Sequence, residues 1–456
     1  MERTAVMRVL SWFSEVRWVY RQRRVWLLPS LIVGAAVLLS WLVPYLDRLL
    51  ADTLAELPPG EFAWKFDPAV MATVLAAVAS GTIAFTGFVF SVLLLVIQFG
   101  TGTMSARFAP RLTQDWVLGA SLGTFMATFV YTLLVSVRLA ARLEDYEPVL
   151  SSVVAVGLAL TSVALFFALL TRVVNFLRLV KALDRVSLAG ARTAAAVHPN
   201  PYGSETDADE AADGPPDRVL RHTGRAGVLL GFDDDAIAEL ARRADCRIVV
   251  VPAVGDFVLP GAPLFDIHGA TGISERKLRR HVVVGIERVV EADPAFALRV
   301  MVDIAIKALS PAVNDPTTAV QALDHIGALL LDLSGRDLGV TRIRDRDGRV
   351  RLTHRTSEWS DYLSLAVDEI RYYGRDSLQV VRRLRALYAD LLRACPLERT
   401  PPVLERLAAI DADTAAFGTT LDRAVAAQPD WQGLGGPAPF VTTASSREGS
   451  ASDSTT

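Results

Sequence analysis

The sequence predicts two unlike parts in one chain: an all-α unit of four transmembrane helices, then a cytosolic α+β domain with a small hairpin- or barrel-like β part and a helical bundle. Three observations predict it. Four long uncharged apolar runs, 25–46, 68–106, 116–137 and 148–171, crowd the first 171 residues, and each reaches the roughly 20 residues that a helix needs to cross hydrocarbon. Arginines gather on alternating flanks of these runs. From 172 onward, charges, glycines and prolines return at the spacing of an ordinary globular chain.

With 456 residues, 51% hydrophobic and 21% charged, the averages look globular. Only the distribution excludes a purely cytosolic enzyme, a fibre or a disordered chain. The net charge of −3 carries no nucleic-acid signature. Lysine supplies only four of the 47 basic residues, a bias expected of a high-GC bacterial genome. Six arginines precede the first run, Arg107 and Arg111 follow the second, and Arg172, Arg178, Lys181, Arg185 and Arg192 follow the fourth. The first and third connections are richer in acid, so the positive-inside rule predicts a multi-pass protein of the bacterial plasma (inner) membrane with both termini cytoplasmic. The first run is too long for a signal peptide, and no small-residue cleavage site follows it.

The second run exceeds a simple crossing, so it must tilt, break or run on past the headgroups. Ser80, Ala84, Gly87, Ser91 and Gln98 recur on one face of it at steps of 4, 3, 4 and 7. A small, weakly polar face suits either close helix packing or the lining of a path for an ion or solute. In the third run Gly119, Gly123 and Ala127 form a row suited to close packing. No ionisable residue falls inside any of the four runs, which argues against a proton pump built on buried carboxylates.

The expected organisation is a basic N-terminus (1–24), the four-span unit (25–172), a basic amphipathic connecting helix (173–198), an acidic Pro/Gly linker (199–217), a β-rich part (218–272), a helical part (273–428) and a disordered tail (429–456). In the connecting helix Leu177, Val180, Leu183 and Leu188 share one side. In the β part, Gly255, Asp256, Pro260 and Gly261 mark the turns of a hairpin. It is similar in spacing to lipoyl-type hairpins, but residues 255–264 offer no lysine for attachment. The helical part has a helix ending at Ser310-Pro311, then Asn314-Asp315-Pro316-Thr317-Thr318 as a cap and start for 319–333. Further helices are expected at 359–373, 377–394 and 402–427.

Three segments together resemble the domain of unknown function 2254 family of predicted bacterial membrane proteins. They are Thr86-Gly87-Phe88-Val89-Phe90-Ser91 with Gln98, Arg107-Phe108-Ala109-Pro110-Arg111 and Gly123-Thr124-Phe125; the 255–264 hairpin; and Ser310-Pro311-Ala312-Val313-Asn314-Asp315-Pro316-Thr317-Thr318. The resemblance spans roughly 15–425. It implies a four-span bacterial inner-membrane protein with a cytosolic domain, and no established activity.

Lys307, Asn314, Asp315, Thr317 and Thr318 collect polar groups at a helix start, suited to an anion or ligand or to simple capping. The six histidines make no helical metal pair, and Cys246 and Cys395 are too few for a cluster. No phosphate-binding loop and no nucleophile elbow is visible. The arginines of 371–385 read as a solvated or membrane-facing helix side. No enzyme activity, cofactor, metal or nucleic-acid partner is expected. Two roles remain: a homo-oligomer in the lipid bilayer with a path along the second span controlled by the cytosolic domain, or a membrane-anchored sensor or scaffold whose cytosolic domain binds a partner or small ligand.

Overall fold

In hydrocarbon a chain segment can satisfy its own backbone only as a helix. The computed structural model forms four such helices: α1 (Leu27–Ala55), α2 (Pro68–Thr103), α3 (Trp116–Ala140) and α4 (Val149–Leu177), each long and apolar enough to cross a membrane. The structure describes residues 27–55, 68–103, 116–140, 149–177, 179–204, 214–269 and 272–436. The basic N-terminus, the Arg107/Arg111 connection, the acidic connection at 144–147 and most of the predicted tail lie outside them. Two units result, divided after Ala182.

In the membrane unit α3 is central. Its apolar window is 61% buried, against 17–22% for the other three. Gly119 and Gly123 let α1 approach: a Cβ on Gly123 would lie 2.9 Å from the Pro29 backbone. Ser121, Thr124, Thr128 and Thr132 form a buried hydroxyl row on α3. Thr128 Oγ1 lies 3.0 Å from Ser162 Oγ, and Ser121 and Tyr131 donate to the α4 carbonyls of Leu165 and Ser151. Phe85 of α2 meets Phe125 and Phe166 edge-on.

The second span takes one of its expected alternatives, and the end of the first departs from expectation. The second span does not break: α2 is one helix of 36 residues. At 1.5 Å per residue that is about 54 Å, so it runs on past the ~30 Å hydrocarbon core at any ordinary tilt. The first span does not stop at 46, and Asp47 and Arg48 lie on α1, inside the apolar window Leu27–Leu49. Asp47 is buried because it caps α4. Its carboxylate accepts from Leu150 N (2.7 Å), Ser151 N (3.0 Å) and Ser151 Oγ. Those amides have no partner within their own helix, so an acid is tolerated where the sequence suggested a loop. Arg138 likewise lies on α3, donating to Ser40 O with its guanidinium over the Trp41 ring.

The division falls inside α5 (Leu179–Val197), after which the second unit runs β1 (Arg218–Arg221), β2 (Gly227–Phe232), α6 (Asp234–Arg243), β3 (Cys246–Val250), β4 (Phe257–Val258), β5 (Pro263–Gly269), α7 (Glu275–Arg280) and β6 (Val282–Gly285). There follow α8 (Pro294–Ala308), α9 (Pro316–Ser334), β7 (Val340–Arg344), β8 (Val350–Arg355), α10 (Trp359–Gly374), α11 (Leu378–Ala394), α12 (Pro401–Ala415) and α13 (Thr420–Ala426). A five-stranded sheet has the order β1-β5-β3-β8-β7, with only β3 and β8 parallel, and a three-stranded sheet has the order β4-β2-β6. They share a core with α6 and α7 built on Leu229, Phe232, Ile237, Ile248, Val258, Phe265, Ile267, Leu278 and Leu352.

The expected boundary between a β part ending at 272 and an all-helical remainder is corrected. β6, β7 and β8 come from beyond it, and β8 lies beside β3 near the middle of the larger sheet. The signal was present: Thr341-Arg342-Ile343-Arg344 and Val350-Arg351-Leu352-Thr353 alternate around Asp347-Gly348. α5 also differs from its expected face. Ala182, Leu183, Val186 and Ala194 are buried while Val180 and Leu188 are exposed, and Gly190 packs against Ala297 of α8 and Leu329 of α9. The 402–427 helix is two, α12 and α13. Residues 429–436 of the expected tail are fastened to α11, whose Arg382 donates to the carbonyls of Gly435 and Gly436 and of Gln428 just before them.

The α1–α3 crossing gives a test. Gly123→Ala should destabilise the membrane unit by about 1–3 kcal/mol, as overpacking does. Gly157→Ala, where nothing lies within 4 Å, should leave thermal unfolding in detergent unchanged.

Candidate functional site

The buried face of α2 is Met71, Leu75, Ala79, Thr82, Val89 and Leu93. That leaves Ser80, Ala84, Gly87, Ser91 and Gln98 exposed, facing away from the chain's own bundle. A Cβ on Gly81 or Gly87 would meet nothing within 4 Å. Ser80 and Ser91 donate to the carbonyls of Ala77 and Gly87 one turn back, so these hydroxyls are satisfied within the helix. The small face therefore does not pack this chain against itself; that task falls to α3.

The Ser310–Thr318 segment joins α8 to α9. Asn314 holds a positive φ of 49°, and its N–H donates to Ser310 O. Asp315 then caps α9, its carboxylate accepting from Thr318 N (3.1 Å) and Thr318 Oγ1 (2.6 Å), with Pro316 next in the helix. The start of α9 is thus occupied by the chain's own carboxylate. Asn314 and Thr317 are exposed and Lys307 is half-buried.

The predicted hairpin turns are present. Gly255 has φ 96° and Gly261 φ 85°, which favour glycine. Gly255 also has no room for a side chain: a Cβ would lie 2.7 Å from Asp293 Oδ2. Asp256 Oδ2 accepts from Ala253 N, and Arg221 donates to Gly261 O; Pro260 is exposed. Asp293 is the cap of α8, accepting from Ala295 N at 2.8 Å. Burial pushes its carboxyl up to about 6, against the pull of the Ala295 amide and Arg288.

Sequence reasoning did not single out the buried polar groups around α6 and β8. His354 lies on the inner face of β8 against Phe232, its Nε2 3.6 Å from Asp234 Oδ2 and without a hydrogen bond. Burial lowers His354 to about 4 and raises Asp234, beside Asp235 and Asp233, to about 8. At the end of α5, buried His198 meets Tyr362 Oη through Nε2 (3.0 Å), and burial with Arg336 nearby lowers it to about 4. No pattern of spacing unites these residues, since α5, α6, β8 and α10 supply them.

Arg382, Arg383 and Arg385 of α11 are not a solvated side. Arg382 and Arg385 are buried, and Arg385 donates to Ala426 O and Thr414 Oγ1, while Arg383 reaches Trp431 O and Asp324.

Fold and site together define a class: a membrane protein in which four apolar helices precede an α+β unit. The chain belongs to the predicted membrane protein family DUF2254, whose model matches residues 22–390. It is similar to the uncharacterized protein Rv1290c of Mycobacterium tuberculosis H37Rv and the uncharacterized protein Mb1321c of Mycobacterium bovis. Each is 28% identical over 422 residues, covering 89% of this chain and 79% of the relative. No solved structure matches it.

The buried acid and histidine give opposite pH slopes. Asp234 is raised in the fold, so its contribution is complete below the unfolded pKa near 3.8 and is lost as pH rises through 8. His354 is lowered, so its contribution is complete above 6.5 and is lost as pH falls through 4. Relative to wild type, Asp234→Asn should gain stability from pH 6.5 to 8, and His354→Leu from pH 6.5 down to 4. Each gain is at most about 1.4 kcal/mol per pH unit, read as the shift in chemical unfolding midpoints.

Proposed function

We propose that this protein is a non-enzymatic, homo-oligomeric plasma-membrane protein, oriented with both termini in the cytoplasm. Its subunits meet along α2, and the shared face borders a path for an ion or small solute, controlled by the α+β unit. One observation carries this reading: Ser80, Ala84, Gly87, Ser91 and Gln98 face outward from the subunit while α3 supplies its internal packing. Small residues let helix backbones approach closely across an interface, and weakly polar groups at helical spacing suit a wetted seam. The length of α2 beyond the hydrocarbon continues that face towards water. A membrane anchor for a ligand-binding α+β unit is the competing role.

In proteoliposomes, Ser91→Cys should cross-link to a dimer under mild oxidation, and wild type should show solute or ion flux. Ser91→Leu with Gln98→Leu should reduce flux at least tenfold. Absence of both cross-link and flux overturns the reading; flux that the double leucine variant leaves unchanged overturns the placement of the path.

A further inference from the structure

The outer face of the five-stranded sheet carries three arginines, Arg247, Arg342 and Arg355, that form no ion pair among the described residues. His354 and Leu352 point into the core, so Arg351, Thr353 and Arg355 of β8 point outward. By the same alternation Arg247 and Val249 of β3 and Arg342 of β7 share that face. Pairing sets the layout: Thr353 stands beside Arg342 on one side and Val249 on the other, with Arg247 one pleat back along β3. Arg355 follows Thr353 by two residues on β8. Three arginines on three adjacent strands thus surround one threonine.

Their bonding is as informative as their placement. Arg351 is neutralised by Asp345 at 2.7 Å and Asp245 at 2.9 Å. Among the described residues Arg247, Arg342 and Arg355 have neither an ion pair nor a side-chain hydrogen bond. Arg247 Nε and Thr353 Oγ1 are both buried with no hydrogen-bond partner. Buried polar groups are ordinarily bonded, and leaving a donor unmade costs about 1–3 kcal/mol. Asp345 and Asp245 are held by Arg351, and Asp266 stands opposite Val249 on β5, on the far side of β3 from Thr353. Arg355 and Val219 keep the face open to solvent.

We propose that Arg247, Arg342, Arg355 and Thr353 form a site for a phosphoryl group on the outer face of the sheet. The guanidinium fork matches phosphate oxygens in pairs, and the Thr353 hydroxyl supplies a recessed donor among the three forks. The Arg247 Nε–H gains its missing acceptor from the same anion. A carboxylate has two oxygens to share among these donors, whereas a phosphoryl group presents three. That chemistry is offered by a free phosphate ester or by an anionic lipid headgroup.

The test uses the full chain in nanodiscs of neutral phosphatidylcholine, titrated calorimetrically with inorganic pyrophosphate. Wild type should bind, and the Arg247→Ala/Arg342→Ala/Arg355→Ala variant should lose at least tenfold in affinity. Thr353→Val should lose part of it and Thr353→Ser should keep it. Arg349→Ala, on the turn beside Asp245, should bind as wild type. Unchanged melting temperatures separate lost binding from lost fold. A second arm places wild type in nanodiscs containing phosphatidylglycerol and follows amide exchange in β3 and β8. Protection that appears without pyrophosphate and vanishes in Arg355→Ala assigns the site to a lipid headgroup; protection only with added pyrophosphate assigns it to a soluble phosphate. No binding in either arm, or binding that the triple variant retains, overturns the proposal.

Discussion

Water is absent from hydrocarbon, and every backbone amide placed there needs an internal partner. The architecture of the first unit follows from that constraint. It forces four helices and makes their ends the awkward places, because the terminal amides of a helix lack partners. Asp47 answers one such end by capping α4 from α1. It also forces α3 to hold the bundle by close packing and shared hydroxyls, since apolar surface alone gains little from leaving lipid for another helix. Gly123 against Pro29, and Thr128 against Ser162, are the two forms that solution takes.

The same division of labour bears on function. Because α3 takes the internal contacts, α2 can turn its small residues outward. Residues that looked alike in the sequence, Gly87 on α2 and Gly123 on α3, have different surroundings: open space for one and the Pro29 backbone for the other. In the second unit, arginines divide in a comparable way. Arg382 and Arg385 donate to backbone carbonyls of 426–436 and hold that segment in place, whereas Arg247, Arg342 and Arg355 form no ion pair or side-chain hydrogen bond among the described residues.

Legibility varied with the range of the interaction. The Gly255 and Gly261 turns, the Asp315 cap and the start of α9 at Pro316 could be read directly, because each depends on residues within a few positions. The second reason for glycine at 255, the Asp293 carboxylate resting on it, could not, because 38 residues separate them. The β7–β8 hairpin had a local signature in its alternation and its Asp347-Gly348 turn, yet its place beside β3 depends on a parallel pairing across about a hundred residues. His198, His354, Asp234 and Tyr362 have no shared spacing at all.

By itself the sequence determined the number of apolar helices, the order of membrane unit and α+β unit, the family and the local turns, because hydrophobic length and backbone preference are properties of contiguous residues. Only the tertiary structure decided which side of α2 is left outward, that Asp47 lies on a helix and caps another, and which arginines have no partner among the described residues. Those depend on what residues far along the chain bring alongside, and burial and pairing are set by neighbours in space.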